Sequence, residues 1–195
     1  MEAADLLAKL DAIRFFEGYT PEAEREARDK ALKQFEEGMA GESRKFFERF
    51  PGFAMRFLRV DMELDGAEDL ELVLDQFAAE TFGMFHPTDV AAVCDPDEGV
   101  IRLEFRVDGV PYKAEAEHDT WVPNEVTEVI EKAFKKHCNK LEFHPVHFPE
   151  HTQEAVMTIC TARAFKAAVK AGLFPSDYQQ GNDPAAYGEA ASQES

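Results

Sequence analysis

Residues 100–117 read VIRLEFRVDGVPYKAEAE, and this stretch decides the fold. Asp108-Gly109 lies between two runs of alternating apolar residues. It is a type I′ turn signature, since both central residues of that turn take positive φ. With those two as the loop, Val107 pairs with Val110, Phe105 with Tyr112, Leu103 with Ala114, and Ile101 with Ala116. All eight then share one face. On the other face Arg102 meets Glu115 and Glu104 meets Lys113, so apolar register and charge pairing agree. Pro111 fits an edge strand, or a position whose missing N–H would face outward.

Working outward, residues 90–94 read as a short strand joined to the hairpin through Asp95-Pro96-Asp97-Glu98-Gly99. Further upstream, Leu58, Val60, Met62 and Leu64 alternate with Arg59, Asp61 and Glu63, the pattern of a half-buried strand. Asp65-Gly66 turns the chain into a helix with Leu70, Val73, Leu74, Phe77, Ala78 and Thr81 inward and Gly83 as its stop. Downstream, Trp121-Val122-Pro123 leads into a helix with Val126, Val129, Ile130, Ala133 and Phe134 inward. Lys135, Lys136 and His137 suit its negative end, and Asn139 stops it. Residues 141–148 and 155–160 read as strands, and Thr161 caps a last helix that Gly172 ends.

The first 52 residues read as helices. Leu6, Leu7 and Leu10 start one, and Thr20-Pro21-Glu22 is a helix start. Ala27, Ala31, Phe35 and Met39 form a thin stripe, expected to pack on the surface of a larger body, with Gly38 and Gly41 breaking the helix. The expected architecture is therefore α+β: a mostly antiparallel sheet with helices on one face, preceded by an N-terminal helical segment. Its divisions are residues 1–52, the α+β domain at 53–174, and a flexible tail at 175–195, which has almost no large apolar residue.

Charge is segregated along this chain of 195 residues and net charge −18. From Val60 to Ile101 there is no Lys or Arg. That window carries Asp61, Glu63, Asp65, Glu68, Asp69, Glu71, Asp75, Glu80, Asp89, Asp95, Asp97 and Glu98. Such a surface repels nucleic acid and anionic membrane and attracts cationic protein surfaces. All of these acids except Asp89 are taken as candidate partner-binding residues. Hydrophobic residues make up 45% and include 17 Phe, ample for a core. No apolar run approaches the roughly 18 residues of a membrane span. The acidic N-terminus is unlike a signal peptide, and three distant cysteines, Cys94, Cys138 and Cys160, suit a reducing compartment, so the expected location is the cytoplasm.

Sites of chemistry are weakly marked. His144, His147 and His151 form an H-x2-H-x3-H run. Prolines interrupt it, strand alternation sends His144 and His147 to opposite faces, and no close Cys pair completes a zinc set, so no metal is expected. His137 adjoins Cys138, but neighbours on a helix point apart, and Cys160 reads as a small buried hydrophobe, so no catalytic cysteine is expected. Paired carboxylates are too abundant to single out. No phosphate-cradling glycine loop and no basic aromatic patch exists, so neither a nucleotide cofactor nor nucleic acid is expected.

The layout of residues 100–172 resembles small bacterial immunity proteins of polymorphic toxin systems. The segments that carry the resemblance are FRVDGVPYKAEAEH, the link DTWVPNEV, the helix through FKKH, the strand LEFHPVHF, and the strand-helix TICTARAFKAAVKAGL. It implies an α+β domain without an active site that binds and blocks one cognate toxin. An acidic surface suits a toxin whose cleft is cationic, since it speeds association and competes with a phosphate substrate. Two other readings stand beside it. One is a small cytosolic hydrolase with an acidic pocket, and the other is an adaptor or chaperone for a basic partner.

Overall fold

The 100–117 hairpin forms in the expected register throughout, from Val107 opposite Val110 to Val100 opposite Glu117. Asp108 and Gly109 take φ of 49° and 76°, the conformation a type I′ turn demands. The cross-strand ion pairs form as well, Arg102 to Glu115 at 3.1 Å and Lys113 to Glu104 at 3.2 Å. The structure is a computed structural model and describes residues 2–95, 97, 99–117, 120–146 and 154–175.

In chain order the elements are α1 (Ala3–Ala12), α2 (Pro21–Ala40), α3 (Arg44–Arg49), a 3-10 turn at Pro51–Met55, β1 (Leu58–Asp61), α4 (Ala67–Ala79), β2 (Thr88–Asp95), β3 (Val100–Val107), β4 (Val110–Glu117), α5 (Asn124–His137), β5 (Glu142–Pro145), β6 (Glu154–Cys160) and α6 (Ala162–Lys170). The strands form two antiparallel three-stranded sheets, ordered β2-β3-β4 and β1-β6-β5. The fold is α+β. Strand β4, with Pro111, is an edge. Strand β2 is the opposite edge and carries a register break between Thr88 and Ala91, with Asp89 at φ 52°.

Capping follows the sequence. The Thr20 and Thr161 hydroxyls each accept from the backbone N–H three residues on, at 3.2 Å. Asn139 and Gly172 take the positive φ that ends α5 and α6. Several boundaries move. Helix α2 runs through Gly38 to Ala40, and the Phe47 ring fills the space where a Gly38 side chain would be. Helix α4 stops at Ala79, before Gly83; the Thr81 hydroxyl donates to the Ala78 carbonyl at 2.6 Å, a local bond that competes with helix continuation. Strand β1 stops at Asp61, and Glu63 bridges to Trp121 instead. Strand β5 ends at Pro145, although the Val146 N–H still donates to the Val156 carbonyl at 2.6 Å. Phe148, the end of the strand expected at 141–148, lies outside the described residues. So do residues 176–195 of the expected tail, while Pro175 is buried.

One continuous core runs from Leu6, Leu10 and Phe15 through Phe47, Phe53 and Phe77 to Phe143, Phe165 and Phe174. The α2 stripe packs against this core as expected, with Ala27, Ala31 and Phe35 buried and Arg25, Asp29 and Lys33 on the exposed side. Phe134 stacks on Phe143 at 4.2 Å, and Phe77 meets Phe143 edge-on at 4.9 Å. Each fully buried Phe contributes roughly 1.5–3 kcal/mol. Polar bonds tie the N-terminal helices to the same body: the Gly52 N–H donates to the Leu173 carbonyl at 2.9 Å and the Tyr19 hydroxyl to the Ile159 carbonyl at 2.7 Å.

Candidate protein-binding surface

Helix α4 begins where the Asp69 carboxylate folds back and accepts from the Asp65 and Gly66 N–H groups at 2.7 and 2.9 Å. This satisfies backbone donors at the helix start with a negative group at the positive dipole end. Leu70, Val73, Leu74 and Phe77 then bury one face. The opposite face presents Glu68, Glu71, Leu72 and Asp75, all exposed. Leu72 is 52% exposed. Glu68 and Glu71, and Glu71 and Asp75, are helical neighbours of like charge and repel one another. No cation pairs with these three carboxylates among the described residues.

The other acids of the window divide. Glu80 pairs with Lys30 of α2, whose Nζ also donates to the Phe57 carbonyl at 2.9 Å. Its charge is thus offset by a neighbouring helix, and its task is to join two helices. Asp89 meets Arg106 at 3.5 Å. Asp95 accepts from the Asp97 N–H at 3.0 Å and closes the turn before β3. Asp61 lies opposite Glu154 in the β1–β6 register, and Glu63 opposite Trp121. Glu63, Asp65 and Asp97 are exposed, and Glu98 lies outside the described residues. Burial, and then the negative charge of Asp69, Asp95 and Glu68, pushes up the half-buried Cys94 thiol.

The remaining thiols are also held protonated. Cys138 donates to the Met84 carbonyl at 3.1 Å, and burial pushes it up to about 12. Burial raises Cys160 too. A nucleophilic cysteine needs the opposite, a thiolate favoured by nearby positive charge. The His144 ring lies parallel to Phe165 at 4.3 Å, and its Nε2–H donates to the Cys160 carbonyl at 3.2 Å. Burial pulls its pKa down. His147 and His151 lie outside the described residues. Among the described residues no three His, Cys, Asp or Glu side chains converge as a metal site would require.

Two features escape a reading by residue pattern. The first is a chain of bonds at the hairpin turn, where His137 Nδ1 lies 2.8 Å from Asp108 Oδ2 and Nε2 lies 2.9 Å from the Tyr112 hydroxyl. It ties the end of α5 to the turn. Length arithmetic points to it: eight strand residues and fourteen helical ones span roughly 27 and 21 Å at ~3.4 and ~1.5 Å per residue, so a helix returning along β4 ends near the turn. The second is a cleft of about 780 Å³ between the open end of the hairpin and the start of α5, with Trp121 and Glu117 among its lining. Trp121 is 44% exposed. No helix among the described residues is long and apolar enough to cross a membrane. Comparison with known proteins gives no match: no family model fits the chain, and no curated protein or solved structure is significantly similar to it.

Proposed function

We propose that this protein is a non-catalytic binding module that covers the cationic surface of one partner protein, in the manner of a cytoplasmic immunity protein neutralising a toxin. The observation that carries the reading is the outer face of α4. Glu68, Glu71 and Asp75 surround exposed Leu72 with no neutralising cation among the described residues. Self-repulsion along this helix costs stability, and a basic partner relieves it on binding. The carboxylates steer encounter, and Leu72 supplies apolar area that loses water once docked. The hydrolase alternative draws less support. Of the carboxylates in the cleft, Glu115 is held low by its bond to Arg102, the reverse of what a general acid requires.

The test is kinetic. A basic protein co-purified from the native host is measured against wild type and against Glu68→Gln/Glu71→Gln/Asp75→Asn. The on-rate is expected to fall about tenfold or more in the variant and to fall with salt in the wild type. An on-rate indifferent to both removes the α4 face as the interface.

A further inference from the structure

In a hairpin with a two-residue loop, the pair flanking the loop exchanges both backbone hydrogen bonds, and bonded and non-bonded pairs alternate from there. Val110, Tyr112, Ala114 and Ala116 therefore bond inward to β3. Pro111, Lys113, Glu115 and Glu117 turn their main-chain groups to the outer edge, where the missing N–H of Pro111 breaks no ladder bond. Among the described residues, no other segment bonds the backbone of Lys113, Glu115 or Glu117. This stretch of edge opens onto the 780 Å³ cleft, whose lining includes Glu115, Glu117, Trp121 and Glu125. Glu115 is occupied by Arg102 and Lys113. Glu117 and Glu125 make no ion pair among the described residues. Trp121, the sole tryptophan of the chain, is exposed beside them.

We propose that the free edge of β4 at residues 113–117 accepts an extended basic segment of a partner protein as a fourth strand, with Lys or Arg at the positions opposite Glu115 and Glu117. Main-chain bonds supply affinity and the alternating side chains supply choice, as in other strand additions. Residues opposite Glu115 and Glu117 share their face of the sheet, so cations there come every second residue. The Trp121 ring offers a face for a guanidinium or an aliphatic stem. A second copy of this chain is a poorer occupant: the net charge of −18 opposes it, and two-fold pairing centred on Glu115 would set that residue against itself. The inference shares with the proposed function only the sign of the partner's charge.

Trp121 emission reads the test directly. The probe is a capped six-residue peptide alternating Arg and Val, compared with the same peptide N-methylated at its arginines. The unmodified peptide is expected to shift Trp121 emission saturably. Methylation should weaken binding at least tenfold at unchanged charge, and Glu117→Gln/Glu125→Gln should do the same with an unchanged circular dichroism spectrum. Equal binding of the methylated peptide would overturn strand addition and leave charge attraction alone. No emission shift, with no heat of binding by calorimetry, would overturn the site. Concentration-dependent dimerisation in sedimentation that competes with the peptide would make a second copy the occupant. The Glu68→Gln/Glu71→Gln/Asp75→Asn variant should bind the peptide as wild type does, so failure of the α4 interface and failure of the β4 edge are read separately.

Discussion

The Phe47 ring occupies the place of a side chain at Gly38: an ideal Cβ there would collide with Phe47 Cε2. Phe47 is fully buried, so the ring cannot swing into solvent. Alanine in a helix interior gains about 1 kcal/mol over glycine, whereas overpacking a core costs roughly 1–3 kcal/mol. Gly38→Ala is therefore expected to destabilise by up to about 2 kcal/mol despite its better propensity. Urea denaturation checks it; a higher midpoint with unchanged slope would show that Phe47 yields without cost.

At the hairpin turn the cost has a different origin. Nothing lies within 4 Å of a Cβ built on Gly109, but its φ is 76°. Gly109→Val should cost roughly 1–3 kcal/mol through backbone strain alone. Gly109→Asn, which tolerates left-handed φ, should lose much less. Thermal melts of the two variants side by side test this, and equal losses would point away from the backbone.

Histidine 144 sets a pH dependence. Burial against Phe165 pulls its native pKa below the usual value, so the unfolded chain takes up the proton first as pH falls. Stability from the neutral ring is present above the unfolded value of about 6.5 and is lost as pH drops through the lower native value. His144→Gln keeps a donor toward the Cys160 carbonyl without titrating. The wild type should lose more stability than this variant between pH 7.5 and 5, as measured by melting temperature. Parallel curves would place the titration elsewhere.

Thiol reactivity gives a fourth check. Cys94, Cys138 and Cys160 are all free, and all are shifted toward the protonated form. At pH 7.5 a disulfide reagent should label half-buried Cys94 slowly and the buried pair only with unfolding. Rapid native labelling of Cys138 or Cys160 would contradict the burial described.

Local chemistry made the hairpin legible from sequence: the Asp-Gly pair and a period of two are read within eighteen residues. The caps at Thr20 and Thr161 were legible for the same reason. What stayed hidden is decided across the chain. Gly38 reads locally as a helix breaker, and only Phe47 shows it to be a packing contact. Glu80 reads as a charge on an acidic lobe until Lys30, fifty residues away, is found beside it. The division into two sheets depends on β1 meeting β6, elements nearly a hundred residues apart, which no local window contains. The acids of α4 were legible as a face because helical spacing fixes which side they take.

The break in register at Thr88/Ala91 makes the β2-β3-β4 sheet asymmetric. A bulged margin is a poor template for further pairing, whereas β4 beyond Pro111 offers a regular one from Lys113 to Glu117. Of the two margins, β4 is therefore the better template for a further strand. A strand added at β4 would complete the sheet rather than start a polymer, fixing a stoichiometry of one segment per molecule and keeping a chain rich in phenylalanine from stacking edge to edge with its own copies.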